Sequence, residues 1–131
     1  MSRALVVDAS VVVDLLGRFR PQPIEEILWA ADSVLAAPAL MEVEVLQALR
    51  RLEAAGAIPR SRGSLVELLR ALRIRTYPHA SLLSGIWSLR HRVSAYDAAS
   101  VVLARTLDAT LVTRDQRLGR VSGLGIEVVV P

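Results

Sequence analysis

The sequence predicts an α/β domain with a mostly parallel central sheet and helices on both of its faces. Three observations carry this. Short valine-rich runs alternate with longer segments of helical periodicity. The short runs are apolar throughout rather than alternating, as strands covered on both faces are. A chain of 131 residues with 53% apolar content is enough for one core, so residues 1–131 are expected to form one domain.

Taken in order, ALVVD (4–8) is a β-branched run closed by an acid and reads as a buried strand. Ser10 opens a short helix, SVVVDLLG, which Gly17 can stop. FRPQP is a loop, and PIEEILWAA (23–31) is a helix with acids in its first turn. SVLAAP (33–38) is the second strand; Pro38 ends it and can start the next helix. ALMEVEVLQALRRLEAAG (39–56) is the longest helical pattern, closed by Gly56. SRGSLVELLRALR is a further helix, and IRTYP (74–78) a third strand. ASLLSGIWSLRHR and YDAASVVLARTLD are helical. ATLVT (109–113) is a strand, DQRLGR (115–120) a short helix and GIEVVV (125–130) a final strand. No repeat, linker or low-complexity tract interrupts the series.

Composition excludes several classes. There is no cysteine, hence no disulfide framework and no thiolate zinc site. All 16 basic residues are arginine, so a mechanism that needs lysine is excluded. The net charge of +3 is mild; a compositional bias of the source genome explains the arginines more readily than phosphate recognition does. Asp8 and Asp14 interrupt the N-terminal apolar stretch and no small-residue cleavage site follows, which argues against an export signal. No uninterrupted apolar run approaches the ~20 residues of a bilayer span. A cytoplasmic protein with no membrane association is expected.

Four of the thirteen acids invite a chemical role. In open α/β sheets the active crevice lies beyond the carboxyl ends of the strands. Asp8 closes the first strand and Asp115 follows the LVT run by two residues. Each also has a structural explanation. Asp8 can cap the next helix, although Ser10 could do so alone. Thr113-x-x-Gln116 can cap the short helix, with Asp115 as a first-turn acid. Asp97 completes a Ser94-x-x-Asp97 capping box. In the long helix, Met41, Val45, Ala48 and Leu52 define the core stripe, and Glu42 and Glu44 flank it, each ~80° from its centre. Periodicity does not choose between them. Taken together the acids ask for more, because two carboxylates ~4 Å apart repel by roughly 4 kcal/mol at a surface-like dielectric. A cluster needs protons or cations, and hard oxygen ligands select Mg²⁺ or Mn²⁺. His79 and His91 lie in arginine-rich helical surroundings and are expected at the surface rather than as ligands.

The segments LVVDAS, APALMEVEVLQALRR, SAYDAASVVLA and LVTRDQRL, in this order and spacing, resemble the PIN-domain family, specifically the VapC-type toxin ribonucleases of type II toxin–antitoxin systems. The resemblance covers nearly the whole chain and implies a PIN-like fold. It selects Glu44 over Glu42. It implies a Mg²⁺-dependent endoribonuclease, with Mn²⁺ as an alternative metal, in which Asp8, Glu44, Asp97 and Asp115 hold the metal. Ser10 and Thr113 would orient those acids, and Arg90, Arg92 and Arg114 would attract the RNA backbone. It further implies a cognate antitoxin and a homodimer, for which helices 24–30 and 39–54 offer apolar surface. Gln47, Ser100 and Arg117 depart from the family pattern; Arg117 stands where some relatives carry a further acid. Two other readings stay open: a non-catalytic PIN-fold binding module, and a PIN ribonuclease of RNA processing with no antitoxin. A receiver domain fails for want of lysine, and a haloacid-dehalogenase-type phosphatase fails because D-A-S replaces D-x-D.

Overall fold

A computed structural model of the protein describes residues 3–30, 32–60 and 63–131. Five strands form one all-parallel sheet: β1 (Arg3–Val7), β2 (Ser33–Pro38), β3 (Arg75–Tyr77), β4 (Thr110–Val112) and β5 (Val128–Val129), in the order β3-β2-β1-β4-β5. Leu5 is in register with Leu35 on one side and Thr110 on the other, which makes β1 the central strand. The helices are α1 (Ala9–Gly17), α2 (Pro21–Leu28), α3 (Leu40–Ala54), α4 (Leu65–Ala71), α5 (Leu83–Ser88), α6 (Ala95–Leu107) and α7 (Gln116–Arg120). A 3-10 turn, Ala80–Leu82, leads into α5.

The two-residue period of the strands divides the core in two. Leu5, Val7, Ala37 and Val112 face α1–α4 and pack with Val11, Ile24, Val45 and Leu69. Val6, Ala36 and Leu111 face the other way, against Leu82, Val101, Leu103 and Leu118 of the later helices. Neither face is left to water, which is why the strands carry no polar alternation. Ala98 to Ala104 of α6 are all buried, so this helix is enclosed by the sheet and by α5. Gly85 allows that enclosure: a Cβ there would lie 2.7 Å from Val102 Cγ1.

Several boundaries differ from the expected ones. Helix α2 begins at Pro21, two residues early, because proline at a first helical position sacrifices no hydrogen bond. Glu25 and Glu26 therefore fall outside its first turn. The helix expected over 80–92 ends at Ser88, and turns tie Arg90 N to Trp87 O and Arg92 N to Leu89 O. Helix α4 starts after Ser64, whose hydroxyl accepts from Glu67 N. Ala31, Ser61 and Arg62, which the expected helices included, lie outside the described residues.

His79 corrects another expectation. It is half-buried, and its Nε2 accepts from Leu40 N at 3.0 Å, across 39 residues of chain. Ala39 at the start of α3 makes no side-chain cap of its own, so the histidine does that work. His79→Leu is expected to cost about 0.5–2 kcal/mol, the range of a lost helix cap. His79→Gln, whose amide oxygen reaches a similar point, should retain most of it. Thermal melting decides, and equal losses in the two variants would contradict the capping role.

Candidate active site

The topology gathers the site. β1 connects to β2 through helices on one face, and β3 to β4 through helices on the other, so the chain reverses its winding between β1 and β4. A crevice opens at such a reversal beyond the strands' carboxyl ends. Asp8 follows β1 and Thr113 to Asp115 follow β4.

Asp8 is the most tightly held of the four acids. Its amide donates to Val112 O at 3.0 Å. Its Oδ1 accepts from Ala9 N at 2.9 Å, and its Oδ2 accepts from Ser10 Oγ and Thr113 Oγ1, both at 2.8 Å. The hydroxyls then reach onward: Ser10 Oγ accepts from Arg114 N and Thr113 Oγ1 from Asp115 N, both at 3.1 Å. One small network therefore fixes the ends of β1 and β4 together. It also separates the residues that cap the helices from those that hold the acids. Asp8, not Ser10, caps α1. Asp115, not Thr113, caps α7, with Oδ1 accepting from Arg117 N at 2.9 Å and from Leu118 N at 3.4 Å. The hydroxyls serve the acids instead of the helices.

Asp97 stands in the first turn of α6, its amide donating to Ser94 Oγ at 3.1 Å. On α3, Glu44 is half-buried while Glu42 is exposed, which decides what periodicity left open. Burial, then the charges of Asp8 and Asp97, push the Glu44 carboxyl above its ordinary value. Burial and the charge of Asp8 raise Asp97; Asp115 adds to this, while Ser94 and Arg117 oppose it. Through these interactions the four acids form one electrostatic group, with Glu44 and Asp115 at its ends. Among the described residues, no three acidic or histidine side chains are drawn into a ready-made metal cage. The donor set nonetheless suits a hard divalent cation: carboxylate oxygens only, with mutual repulsion that a cation would relieve.

A cavity of about 390 Å³ adjoins this group and is lined in part by Asp97, Asp115, Arg92 and Arg117. A roomier one, about 730 Å³, opens beside Arg105, Asp108 and Glu127, away from the four acids. Size does not make it the site, since none of the acid group lines it.

The three candidate arginines differ. Arg90 is exposed, its guanidinium 4.7 Å from the centre of the Trp87 ring. Arg92 is exposed beside the cavity. Arg114 is occupied internally: Nη1 donates to Pro131 O at 2.9 Å and Nη2 to Arg20 O at 2.7 Å. Its Nε lies 3.2 Å from Asp14 Oδ2, close enough for an ion pair but without hydrogen-bond alignment. Burial raises the Asp14 carboxyl, and Arg114 only partly opposes that. This arginine anchors the C-terminus to α1, and its expected contact with RNA has no support in the geometry. Sequence reasoning gave Arg117 no role, although it faces the same cavity as Arg92; its only signal was that it replaces an acid.

Comparison with known proteins agrees with this fold. A family model described as PIN domain matches residues 5–124. The chain is 38% identical over 117 residues to Ribonuclease VapC3 of Mycobacterium tuberculosis, covering 88% of this chain and 85% of that one. It is 38% identical over 125 residues to Ribonuclease VapC1 of the same species, covering 94% of each. Its fold is similar to a VapBC2 crystal structure from Rickettsia felis bound to a promoter DNA fragment, with a TM-score of 0.70 at 14% identity over 97% of this chain and 98% of that one. It is also similar to PAE2754 from Pyrobaculum aerophilum, with a TM-score of 0.61 at 19% identity over 97% of this chain and 84% of that one. A parallel sheet in this order, the acids at its carboxyl edge and the family match across the core show that the chain belongs to the PIN domain family.

Proposed function

We propose that this chain is a Mg²⁺-dependent endoribonuclease and the toxin of a toxin–antitoxin pair, with residues 1–131 acting as one PIN domain. The observation that carries the proposal is the coupled group Asp8, Glu44, Asp97 and Asp115, in a chain 38% identical to proteins named as VapC ribonucleases. These four acids would hold the metal, directly or through water. Mn²⁺ offers the same hard acceptor chemistry and is the alternative cation. A bound divalent cation lowers the pKa of water and stabilises charge on a scissile phosphate.

The chain's own residues do the rest. Ser10 and Thr113 hold the Asp8 carboxylate in one orientation, and an acid so fixed need not reorganise when it takes a ligand. Asp97 or Asp115 orients the attacking water. In-line attack leaves a 5′-phosphate and a 3′-hydroxyl. Arg90 and Arg92 draw the RNA backbone toward the crevice by charge. A cognate antitoxin covers the crevice, a reading supported by the likeness to the VapBC2 structure. A homodimer forms through α2 and α3, whose exposed Val43 and Leu46, with Trp29 at the end of α2, supply apolar surface. The working compartment is the cytoplasm; among the described residues no helix is long and apolar enough to cross a membrane.

The test is cleavage of single-stranded RNA by purified protein with Mg²⁺ or with chelator. Mg²⁺-dependent products bearing 5′-phosphates are expected. An inert wild type, or equal cleavage by Asp97→Asn, overturns the proposal.

A further inference from the structure

The cavity of about 390 Å³ shares Asp97 and Asp115 with the acid group, so whatever fills it lies beside the reacting phosphate. We infer that it is a base pocket: it receives the unstacked nucleobase next to the scissile phosphate, against the guanidinium plane of Arg92. This rests on the RNA-cleaving reading above and adds which part of the RNA the protein distinguishes.

Three features of the cavity argue for a base rather than a second phosphate. Its lining includes apolar surface from Val93, Leu118 and Val121, and Leu118 is 2% exposed, so part of the wall is continuous with the core. Arg92 is held in place from across the chain, Nη1 donating to Gly123 O at 3.4 Å and Nη2 donating to Ser122 O. With both terminal nitrogens on backbone carbonyls, the fork that would grip a phosphate is engaged, while the exposed guanidinium still lines the cavity and can offer a planar face to a base. Single-stranded RNA is recognised through splayed bases stacked on such planes. Gly123 makes the seat: its φ is +72°, and a Cβ there would lie 3.4 Å from Arg92 Nη1. The size agrees, since 390 Å³ is near the lower end of the ~300–1,000 Å³ typical of small-ligand pockets and admits a single nucleoside. Arg117 completes the rim. Its side chain is 88% exposed, its Nε is 3.6 Å from Asp115 Oδ1, and it is free to turn to the phosphate of the same nucleotide.

The experiment pairs two sequence-resolved assays on a randomised single-stranded RNA pool. One measures binding in chelator, so that no cleavage occurs; the other measures cleavage with Mg²⁺. Both are run on wild type, Arg92→Ala, Arg92→Lys and Val121→Phe, each checked for folding by melting. Wild type is expected to select a base at one position, adjoining the cut. Arg92→Ala should weaken binding roughly tenfold, as loss of one stacked base does, and flatten that selection. Arg92→Lys keeps the charge without the plane and should not restore it. Val121→Phe crowds the cavity while keeping the Arg92 side chain and should flatten it too. Wild-type selectivity in Arg92→Lys, or in both Arg92→Ala and Val121→Phe, overturns the pocket. So does a wild type that selects no base. Binding selectivity that depends on Arg92 in a protein that cuts nothing would leave the pocket standing and remove the nuclease reading; cleavage without base preference would do the reverse.

Discussion

Asp97→Asn is expected to melt a few degrees above wild type in chelator, and to cut RNA more than about a hundredfold more slowly with Mg²⁺. The first effect follows from repulsion. Burial and the neighbouring charges of Asp8 and Asp115 raise the Asp97 carboxyl in the folded protein, against the opposing pull of Ser94 and Arg117. In the unfolded chain it returns to its ordinary value. The folded state thus binds more protons than the unfolded state between the two values, and stability falls as pH rises through that window. The cost is fully present above the raised value and is relieved as pH drops through it. Asparagine removes the charge and keeps the shape, and its backbone amide can still donate to Ser94 Oγ. The advantage of the variant over wild type should therefore shrink on acidification. Glu44→Gln should behave alike, since Glu44 is raised by burial and by Asp8 and Asp97. Added Mg²⁺ should reverse the ranking, because a ligand stabilises the state that binds it. Melting curves in chelator and in Mg²⁺ across acidic and neutral pH check this. A metal-free Asp97→Asn less stable than wild type would contradict it.

Thr113→Val is expected to damage both stability and cleavage without touching a carboxylate. Thr113 is fully buried, and valine has nearly its shape, so no cavity opens. What is lost is the 2.8 Å bond to Asp8 Oδ2 and the acceptor for Asp115 N at 3.1 Å. A hydrogen bond to a charged group contributes about 1.5–3 kcal/mol, and an unpaired amide adds to the loss. Losing a group that orients a metal-binding acid typically lowers activity ~10–100-fold. Thr113→Ser separates the two effects. It keeps the hydroxyl and gives up one methyl, at about 0.8 kcal/mol, so its cleavage should stay close to wild type. Equal loss of cleavage in the valine and serine variants would show that packing, not the hydroxyl, is what matters.

Much of the fold is legible in the sequence because a sheet covered on both faces writes itself as unbroken apolar runs. SVLAAP forms β2 over its full length, and LVV and TLV lie in β1 and β4. Boundaries are less legible where capping is not local. The α3 cap comes from His79, and no nearby residue announces it. GIEVVV is a strand only over Val128 and Val129, with Glu127 O accepting from Leu111 N just before it. In the candidate site, Asp8, Asp97 and Asp115 were visible as acids at element ends. Their division of labour was legible only in part. From sequence, Ser10 and Thr113 read as possible caps and, through the resemblance, as groups that orient the acids; in the structure Asp8 and Asp115 cap the helices and the hydroxyls bind an Asp8 carboxyl oxygen. Glu42 and Glu44 are equivalent by periodicity; only the family resemblance preferred Glu44, and tertiary burial then separates the two. Gly123 and Val121 gave no signal, and Arg92 stood out only as one of three arginines expected to attract RNA, since a cavity between α6, α7 and the loop after it has no sequence period.

The most direct test is where a divalent ion settles. Mn²⁺ broadens the amide resonances around it, so titrating it at substoichiometric levels into isotope-labelled protein maps its position. The signals around Asp8, Glu44, Asp97 and Asp115 should vanish first and together, and Asp97→Asn should spare them. Broadening centred on Asp108 and Glu127 instead, or spread evenly over the surface acids, would contradict a metal centre at the carboxyl edge of this sheet.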